Sequence, residues 1–373
     1  SQSSRRVWRF ILRWTGIYVV LAGAEHGVSG SASMKAALVY GPQDVRIEEI
    51  PEPSPGPGEI KVRVSYCGIC GSDLEIYHGT FGLMKTPAWP KPPFTFGHEV
   101  SGVISELGAD LLGTYEIGQP VAMNFRSSCG RCWYCREGKE HMCDHVYSHE
   151  AGFAQYAVYR ESAVYPLPLG MDLQEGALLE PATIALHAVE QGGVKPGSTV
   201  AICGAGTIGL LILQVTRLAG AARVLVSNPS AHKRALAEEL GADCTVDPRA
   251  VDLVAMGHEF TKGRGFDVVF EASGRPEAAE QCLKLAGRCG TVVWVGGYPD
   301  EAAVRVNPFD FFLKELTVKA SVLAPYVYPR ALALLPLLKL RPLISEVVPL
   351  DDLPEVLAKR RESGATKTLV TPW

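Results

Sequence analysis

The chain has 373 residues, of which 47% are hydrophobic and 20% are charged. This length suggests about two domains, and the apolar content excludes a disordered protein. The formal net charge of −4 gives no electrostatic reason to bind nucleic acid or an anionic membrane. We therefore expect neither as a partner.

The ten cysteines are unevenly distributed along the chain. Five of them lie in the segments 67–70 and 129–135. Clusters of this kind favour metal binding in a reducing compartment over a disulfide scaffold. They predict a cytoplasmic protein that binds metal through thiolates.

The first 33 residues differ from the rest of the chain. They carry a net charge of +3, whereas the remainder carries −7. Their apolar run at 16–24 is much shorter than the roughly 20 residues of a membrane-spanning helix, although a basic start before a short apolar run resembles a signal peptide. We interpret 1–33 as an extension: a tag, upstream translation or a targeting segment. Met34 begins a natural first strand.

Residues 34–165 consist of short apolar runs separated by turn residues. The run 60–65 alternates apolar and polar residues, which predicts a half-buried strand. The segment 51–58 holds four prolines and two glycines and must be a loop. This part predicts an antiparallel, β-rich domain.

Beyond about residue 181 predicted strands alternate with helices. The strands are expected at 199–203, 223–227, 268–270 and 291–295, and the helices at 210–218 and 233–240. Such alternation predicts a parallel sheet with helices on both faces. A helix at 329–335 and a strand at 368–370 should return to the first domain. The predicted domains are 34–183 with a cysteine lobe at 126–146, then 184–321, and 322–373 as the return.

A glycine-rich loop joins the first strand and first helix of the second domain. Gly204, Gly206 and Gly209 fit the pattern G-x-G-x-x-G, which in this context predicts dinucleotide binding. The glycines permit a tight turn, a close approach to the pyrophosphate and close helix–strand packing. The helix N-terminus offers unpaired N–H groups to the phosphates.

The residue at the end of the second strand bears on the choice of cofactor. An acid there would bind the ribose 2′-OH and repel a 2′-phosphate, but this chain has Asn228. Lys233 and Arg234 follow and could meet a phosphate, or could be solvated charges on the next helix. The sequence therefore predicts NAD(P) and slightly favours NADP.

The cysteine lobe offers four thiols within 15 residues. They are Cys129, Cys132, Cys135 and Cys143. Tetrahedral zinc prefers four such ligands, and a four-cysteine site leaves no open position, so this site should be structural. An iron–sulfur cluster uses similar spacings, and free surface cysteines are the other alternative.

A second constellation joins Cys70, Ser72 and Asp73 to His98 and Glu99, which begin 28 residues after Cys70. Alone, these could be ordinary core residues. With the cysteine lobe and the glycine loop, the chain from Met34 to Trp373 resembles the zinc-containing medium-chain alcohol dehydrogenases. This resemblance implies a GroES-like antiparallel β catalytic domain and a Rossmann domain with a doubly wound parallel sheet. It also implies two zinc ions per chain.

The resemblance also implies roles for particular residues. Cys70 and His98 match ligands of the catalytic zinc, and Glu99 or Glu180 completes the set. Glu180 followed by proline resembles the sorbitol, butanediol and threonine dehydrogenase branch. Ser72 would accept the proton of the alcohol, and Asp73 would orient His98.

The same resemblance implies a set of cofactor contacts. They are Thr183, Gly204, Gly206, Thr207, Ile208, Gly209, Asn228, Lys233, Arg234, Val295, Gly296 and Lys367. One departure concerns the proton relay, because Glu75 stands where many relatives carry a histidine. Glu75 or His78 could instead carry the proton from Ser72 to solvent.

The sequence therefore predicts a zinc-dependent oxidoreductase that transfers a hydride between a secondary alcohol and NAD(P), giving the ketone. The expected substrate is a polyol, sugar alcohol or diol, and the expected assembly is a homo-oligomer, a dimer or tetramer. A threonine-type or sugar-phosphate dehydrogenase is the alternative within the family. A zinc-free quinone reductase, a non-catalytic dinucleotide-binding protein and a nucleic-acid-binding zinc module fit the motifs and the charge less well.

Overall fold

The computed structural model describes residues 32–85 and 89–373, which fall into two units. The first unit comprises the described residues up to Glu180 together with Glu346–Trp373. The second unit is Pro181–Ser345. The predicted extension at 1–33 lies outside the described residues except for Ala32 and Ser33.

The first unit is built on antiparallel sheets. Its strands are β1 Ser33–Gly41, β2 Asp44–Pro51, β3 Glu59–Gly68, β4 Phe94–Thr95, β5 Glu99–Leu107, β6 Pro120–Met123, β7 Arg126–Ser127, β8 Tyr147–Ser148, β9 Tyr156–Arg160 and β10 Val164–Pro166, with β17 Ile344–Pro349 and β18 Lys367–Thr371 near the C-terminus. A three-stranded sheet has the order β2-β1-β4. A seven-stranded sheet has the order β10-β6-β5-β3-β18-β17, and β9 also pairs with β3. The predicted β-rich domain is therefore confirmed.

The helices of the first unit are short. They are α1 Gly71–His78, α2 Trp133–Arg136, α3 Leu173–Gly176 and α11 Leu353–Ser363. The helix α4 Leu179–Gly192 starts at the end of the first unit and continues into the second. Short 3-10 turns occur in the first unit at Gly82–Lys85, Glu140–Met142, Glu161–Ala163 and Leu350–Asp352, and in the second unit at Leu335–Leu337 and Arg341–Leu343.

Strand β3 shows how the alternating pattern is used. Ile60, Val62 and Val64 are fully buried in the core of the first unit. Lys61 departs from the predicted exposure because it is only 7% exposed. Its ammonium group forms ion pairs with Glu52 and Glu106, and such pairing compensates a buried charge.

The second unit contains one parallel sheet. Its strands are β11 Thr199–Cys203, β12 Arg223–Ser227, β13 Cys244–Val246, β14 Phe266–Glu271, β15 Ala286–Trp294 and β16 Thr317–Ala320. Its remaining helices are α5 Thr207–Leu218, α6 Ala231–Glu239, α7 Leu253–Phe260, α8 Pro276–Leu285, α9 Pro308–Lys314 and α10 Tyr328–Leu334. The order is β13-β12-β11-β14-β15-β16 with every pair parallel.

This order is that of a dinucleotide-binding sheet. The direction of winding reverses between β11 and β14, and ligands bind outside the carboxyl ends of the strands at such a point. The predicted strands at 199–203 and 223–227 are confirmed with the same bounds. The doubly wound fold is therefore confirmed.

The return to the first unit starts later than residue 322. Residues 322–345 belong to the second unit, and two of them contact its helices α4 and α5. Lys339 N–H donates to the side-chain oxygen of Gln214 over 2.7 Å, and Gln214 donates back to the Lys339 carbonyl over 3.3 Å. Arg330 forms an ion pair with Glu190.

Candidate active site and nucleotide site

The first candidate site begins where α1 follows β3. Cys70 is the N-cap residue of α1, and its backbone N–H donates to Asp73 Oδ2 over 2.8 Å. This hydrogen bond fixes the first turn of the helix. It therefore holds the Cys70 thiol and the half-buried Ser72 at one end of the strand.

Strand pairing brings the histidine segment to the same place. In the antiparallel pair of β3 and β5, Gly68 lies opposite Glu99. A Cβ atom on Gly68 would lie 2.0 Å from Glu99 Oε2, so a glycine is required for the glutamate side chain to fit. The result is a group of ligand atoms from Cys70, His98 and Glu99 that all lie within 4.8 Å of one another.

His98 is held between an acid and an aromatic ring. Its Nδ1 lies 3.7 Å from Asp73 Oδ1, and its ring centroid lies 5.0 Å from that of Phe125. Burial alone would lower the pKa of His98, but the Asp73 carboxylate and the Cys70 thiol raise it well above its ordinary value. Burial also raises the pKa of Asp73 to about 6, against the opposing effect of His98.

Glu180 borders the same group. It is 5% exposed in the first turn of α4 and is not one of the three residues with closest ligand atoms. Burial raises the pKa of Glu180 to about 7, with His98 lowering it and Glu99 raising it. Glu180 is therefore close enough for its charge to act on both residues.

Lys367 pairs with Glu99 in this structure. Its Nζ donates to Glu99 Oε2 over 2.5 Å and to the Ile69 carbonyl over 3.0 Å. Both side chains of the pair are almost fully buried. The predicted contact of Lys367 with the cofactor remains a prediction.

These residues fit a zinc ion. Cysteine sulfur, imidazole nitrogen and carboxylate oxygen are the ligands that zinc takes in catalytic sites with an open position. Asp73 Oδ1 is buried without a hydrogen-bond partner in the described structure and faces His98 Nδ1. A carboxylate in that place can orient a metal-binding histidine.

The cysteine lobe brings its four thiols together. The ligand atoms of Cys129, Cys132, Cys135 and Cys143 all lie within 4.8 Å of one another. Cys132 Sγ lies 3.5 Å from Cys135 Sγ and 3.8 Å from Cys143 Sγ. Four sulfurs bound to one zinc at about 2.3 Å would be about 3.8 Å apart.

Backbone donors surround the same sulfurs. Cys132 N–H lies 3.3 Å from Cys129 Sγ, and Cys143 Sγ has two such contacts, from Cys129 N–H and His145 N–H, each at 3.3 Å. Hydrogen bonds to the charged form favour it, so these donors favour the thiolate form at Cys129 and Cys143. These distances fit the predicted four-cysteine zinc site.

The glycine loop of the second unit forms a cradle at the start of α5. Gly204 has φ +116°, and a Cβ atom on Gly209 would lie 1.9 Å from the Gly204 carbonyl oxygen. By contrast, apart from its neighbours along the chain, no described atom lies within 4 Å of a Cβ atom built on Gly206, the N-cap residue of α5. The loop is therefore packed on one side and leaves room beside Gly206 for a pyrophosphate.

The end of β12 carries the predicted determinants of cofactor preference. Asn228 Oδ1 accepts from Ser230 N–H over 2.9 Å. Arg234 Nη1 donates to the carbonyls of Asn228 and Pro229 over 2.7 and 3.0 Å, and it pairs with Asp247. Arg234 therefore stabilises the loop after β12 by hydrogen bonds to its backbone carbonyls. Lys233, on the first turn of α6, is half-buried.

The remaining predicted residues lie at expected positions. Thr183 is buried on α4, Thr207 and Ile208 open α5, and Val295 and Gly296 follow β15. Glu75 and His78 lie on α1 and are half-buried. These placements leave their roles as predictions.

Sequence reasoning missed three residues of these sites. Phe125 packs on His98, and its signal is an aromatic residue four positions before Cys129. Arg249 Nη2 donates to the Pro229 carbonyl over 2.6 Å, and its signal is a basic residue just after β13. Glu271 is a fully buried acid at the end of β14, and its signal is a charged residue that ends an otherwise apolar run.

Comparison with known proteins identifies the family. The family model for the alcohol dehydrogenase GroES-like domain matches residues 56–169, and that for zinc-binding dehydrogenases matches residues 207–336. A 2-dehydro-3-deoxy-L-galactonate 5-dehydrogenase of Pseudoalteromonas atlantica is 34% identical over 332 residues, 87% of this chain and 94% of that protein. An L-threonine 3-dehydrogenase of Pyrococcus abyssi is 36% identical over 291 residues, 77% of this chain and 81% of that protein.

A solved structure agrees with these relatives. It is a Sinorhizobium meliloti protein, assigned as a zinc-binding dehydrogenase and bound to NADP. Its fold is similar to that of the present chain, with a TM-score of 0.86 and 36% sequence identity. The comparison covers 92% of this chain and all of the Sinorhizobium meliloti chain. The chain therefore belongs to the zinc-containing medium-chain alcohol dehydrogenases, in the polyol branch predicted from its sequence. It is an oxidoreductase, and the comparisons support zinc and a nicotinamide dinucleotide as its cofactors.

In residues 32–85 and 89–373, no helix combines the length and the apolar character needed to cross a membrane.

Proposed function

We propose that the protein oxidises a secondary alcohol within a polyol, sugar alcohol or diol to the ketone, with NAD(P) as hydride acceptor. The observation that carries the proposal is the group of Cys70, His98 and Glu99 beside Ser72 and Asp73. The two relatives named above are a 5-dehydrogenase and a 3-dehydrogenase. Both names place the oxidised carbon inside a chain, which supports a secondary alcohol.

The catalytic zinc would be held by Cys70, His98 and Glu99, with Glu180 beside it. When bound there, zinc supplies a Lewis acid that stabilises an alkoxide, and the cofactor supplies the hydride acceptor. Ser72 accepts the hydroxyl proton of the substrate. Asp73 keeps the His98 ring in its orientation through Nδ1, and Phe125 limits its movement. Glu75 or His78 passes the proton on.

A second zinc ion would bind the four thiolates of the cysteine lobe. With four protein ligands it has no open position and serves the fold. All ten cysteines lie within the described residues, and no disulfide joins any of them there. Cysteines in this number without disulfides support a reducing compartment, and we infer a cytoplasmic protein.

NADP is slightly favoured over NAD in this proposal. No acid occupies position 228, and the oxygen of Asn228 is already used by Ser230 N–H, which leaves its amide donors for a ligand. Arg249 lies close to the same loop, and its side chain is 71% exposed. Two guanidinium groups, of Arg234 and Arg249, face one carboxylate, of Asp247. This excess positive charge would favour a 2′-phosphate.

The assembly we infer is a homo-oligomer formed through the edge of the parallel sheet. In the described structure β16 pairs with β15 alone. The neighbouring α9 exposes Phe309, Phe312 and Leu313 by 63, 76 and 58%. An unpaired strand edge beside exposed apolar side chains is suited to a second copy of the chain.

L-threonine oxidation is the second candidate, favoured by the identity with the Pyrococcus relative. The test is a panel of initial rates with zinc-loaded protein, each cofactor, and polyols, diols, L-threonine and sugar phosphates. A polyol or diol with the highest kcat/KM supports the proposal. Turnover of L-threonine alone would favour the second candidate. No reduced cofactor from any alcohol would contradict both.

A further inference from the structure

Glu271 is a buried acid that the proposed reaction does not use. It is the last residue of β14 and has no exposed surface. It lies opposite Cys203 of β11 and Trp294 of β15. Its side chain is therefore at the carboxyl edge of the sheet, beside the point where the winding reverses.

The carboxylate of Glu271 is surrounded by donors. Ser273 N–H and the Ser273 hydroxyl donate to Oε1 over 2.8 and 2.5 Å. Gly274 N–H and the Tyr298 hydroxyl donate to Oε2 over 3.1 and 2.5 Å. A group that meets four donors with its two oxygens is in the arrangement of an ionised carboxylate, which can only accept.

No ion pair to Glu271 occurs in the described parts of the chain. Burial of a charge without a counter-charge is costly, even when hydrogen bonds compensate part of the cost. A glutamine would fill a similar volume without that cost. We therefore look for a positively charged group outside the described protein chain that would interact with the Glu271 carboxylate.

The acid also joins two loops at this edge. The Glu271 carbonyl accepts from Val295 N–H over 2.8 Å and from Gly296 N–H over 3.0 Å. A Cβ atom on Gly296 would lie 2.7 Å from Glu271 Oε2, so the loop after β15 lies directly against the carboxylate. Val295 and Gly296 are predicted cofactor contacts.

The sheet order indicates which half of the cofactor lies on this side. In such sheets the adenosine ribose is bound at the end of the second strand, here β12 with Asn228, and the dinucleotide crosses the reversal point. The nicotinamide half of a bound dinucleotide would then lie over β14 and β15. The oxidised nicotinamide ring carries a positive charge, and the reduced ring is neutral.

We propose that Glu271 is a positioning residue for the nicotinamide half and that its charge favours binding of the oxidised cofactor over the reduced one. The inference rests on the proposed function only in that the second unit must bind NAD(P). Opposite charges at the same edge attract, and a neutral ring gains nothing from the carboxylate.

The test compares dissociation constants of oxidised and reduced cofactor in zinc-loaded, full-length protein, measured by calorimetry. Glu271→Gln should raise the ratio of Kd for the oxidised form to Kd for the reduced form by about tenfold. Asp267→Asn is the matched control. Asp267 lies near the opposite end of β14, where its side chain accepts from Thr199 N–H over 2.8 Å, so its ratio should be unchanged.

Two further variants separate charge from loop geometry. Glu271→Asp keeps the charge and should keep the ratio within about twofold of wild type, even if both forms bind more weakly. Tyr298→Phe removes one donor, keeps the charge and should also leave the ratio within that range. If Glu271→Gln does not fold, a large shift of the ratio in Tyr298→Phe still overturns the inference.

The outcomes distinguish this inference from the proposed function. Equal weakening of both forms in Glu271→Gln would show a purely structural role and overturn the inference alone. Wild-type protein that binds neither form would overturn the proposed function, and the inference with it. A selective loss of the oxidised form supports the inference, whichever alcohol proves to be the substrate.

Discussion

Lys367 Nζ lies 2.5 Å from Glu99 Oε2, and the two side chains are 4% and 2% exposed. The pair joins the first residue of β18 to the first residue of β5, beside the Cys70 and His98 ligand atoms. Removing one partner of a buried ion pair is strongly destabilising, because the other charge stays buried and unpaired. Replacing both partners by uncharged residues costs much less. This relationship gives the first prediction.

Lys367→Met should lower the free energy of unfolding by about 3 kcal/mol, because it leaves the Glu99 carboxylate buried without its partner. The double variant Glu99→Gln with Lys367→Met removes both charges and should recover most of the loss. The measurement is urea unfolding of metal-depleted protein as a double-mutant cycle. Equal stability of Lys367→Met and wild type would contradict the importance of the pair.

The second prediction concerns the third ligand of the catalytic zinc. Glu99 belongs to the closest group of ligand atoms, whereas Glu180 does not. Glu99→Gln should therefore weaken zinc binding at this site by about a hundredfold or more, and Glu180→Gln by about tenfold. Competition with a chromogenic chelator measures both. A larger loss in Glu180→Gln would reverse the assignment.

The third prediction concerns cofactor preference. Asn228→Asp adds an acceptor for the 2′-OH and a like charge against a 2′-phosphate. A charge-assisted hydrogen bond contributes roughly 1.5–3 kcal/mol. The variant should shift the ratio of kcat/KM for NAD and NADP towards NAD by about tenfold to a hundredfold.

Arg249→Met is the complementary control, since it should weaken NADP and leave NAD nearly unchanged. Both ratios are measured at one ionic strength, because salt screens phosphate contacts. If wild-type protein already rejects NADP strongly, the interpretation of Asn228 and Arg249 is wrong.

The fourth prediction is a pH dependence from His149. Burial, with a contribution from the Arg160 charge, lowers the pKa of His149 to about 4. Its Nε2 lies 3.2 Å from the Ser127 hydroxyl. The folded protein therefore keeps His149 neutral, while the unfolded chain takes up a proton below about pH 6.5. Stability from this residue is complete above that pH and is lost as the pH falls towards 4.

Wild type should accordingly lose about 2 kcal/mol more than His149→Gln between about pH 7.5 and pH 5. The measurement is urea unfolding of both proteins at the two pH values. His232→Gln, at the exposed start of α6, is the control and should behave as wild type does. Parallel losses in wild type and His149→Gln would show that His149 is not the titrating group.

Much of the fold could be predicted because its signals are local. The strand 199–203, the glycine loop and α5 are contiguous, and periodicity with three glycines is sufficient to predict them. The spacing of the four lobe cysteines likewise indicates a single metal site. Domain boundaries that depend on long-range contacts were harder to predict. The contacts between Lys339 and Gln214, for example, belong to a part of the second unit that the sequence assigned to the first.

The details of the site depend on residues far apart in sequence. Lys367 and Glu99 are separated by 268 positions, and no local pattern pairs them. Phe125 reaches His98 only through the pairing of strands, and the Tyr298 hydroxyl reaches Glu271 across a loop. Periodicity predicts which face is buried, but it does not predict which buried polar groups become partners.

We infer that one chain holds a catalytic zinc at Cys70 and a structural zinc at the cysteine lobe. The most direct measurement is the zinc content of purified, undialysed wild type, Cys70→Ser and Cys135→Ser, with circular dichroism on the same samples. We expect two zinc ions in wild type. We expect one in Cys70→Ser, with the fold retained and turnover abolished, and lower stability in Cys135→Ser. One zinc ion or none in wild type, or full activity in Cys70→Ser, would contradict the assignment of the two sites.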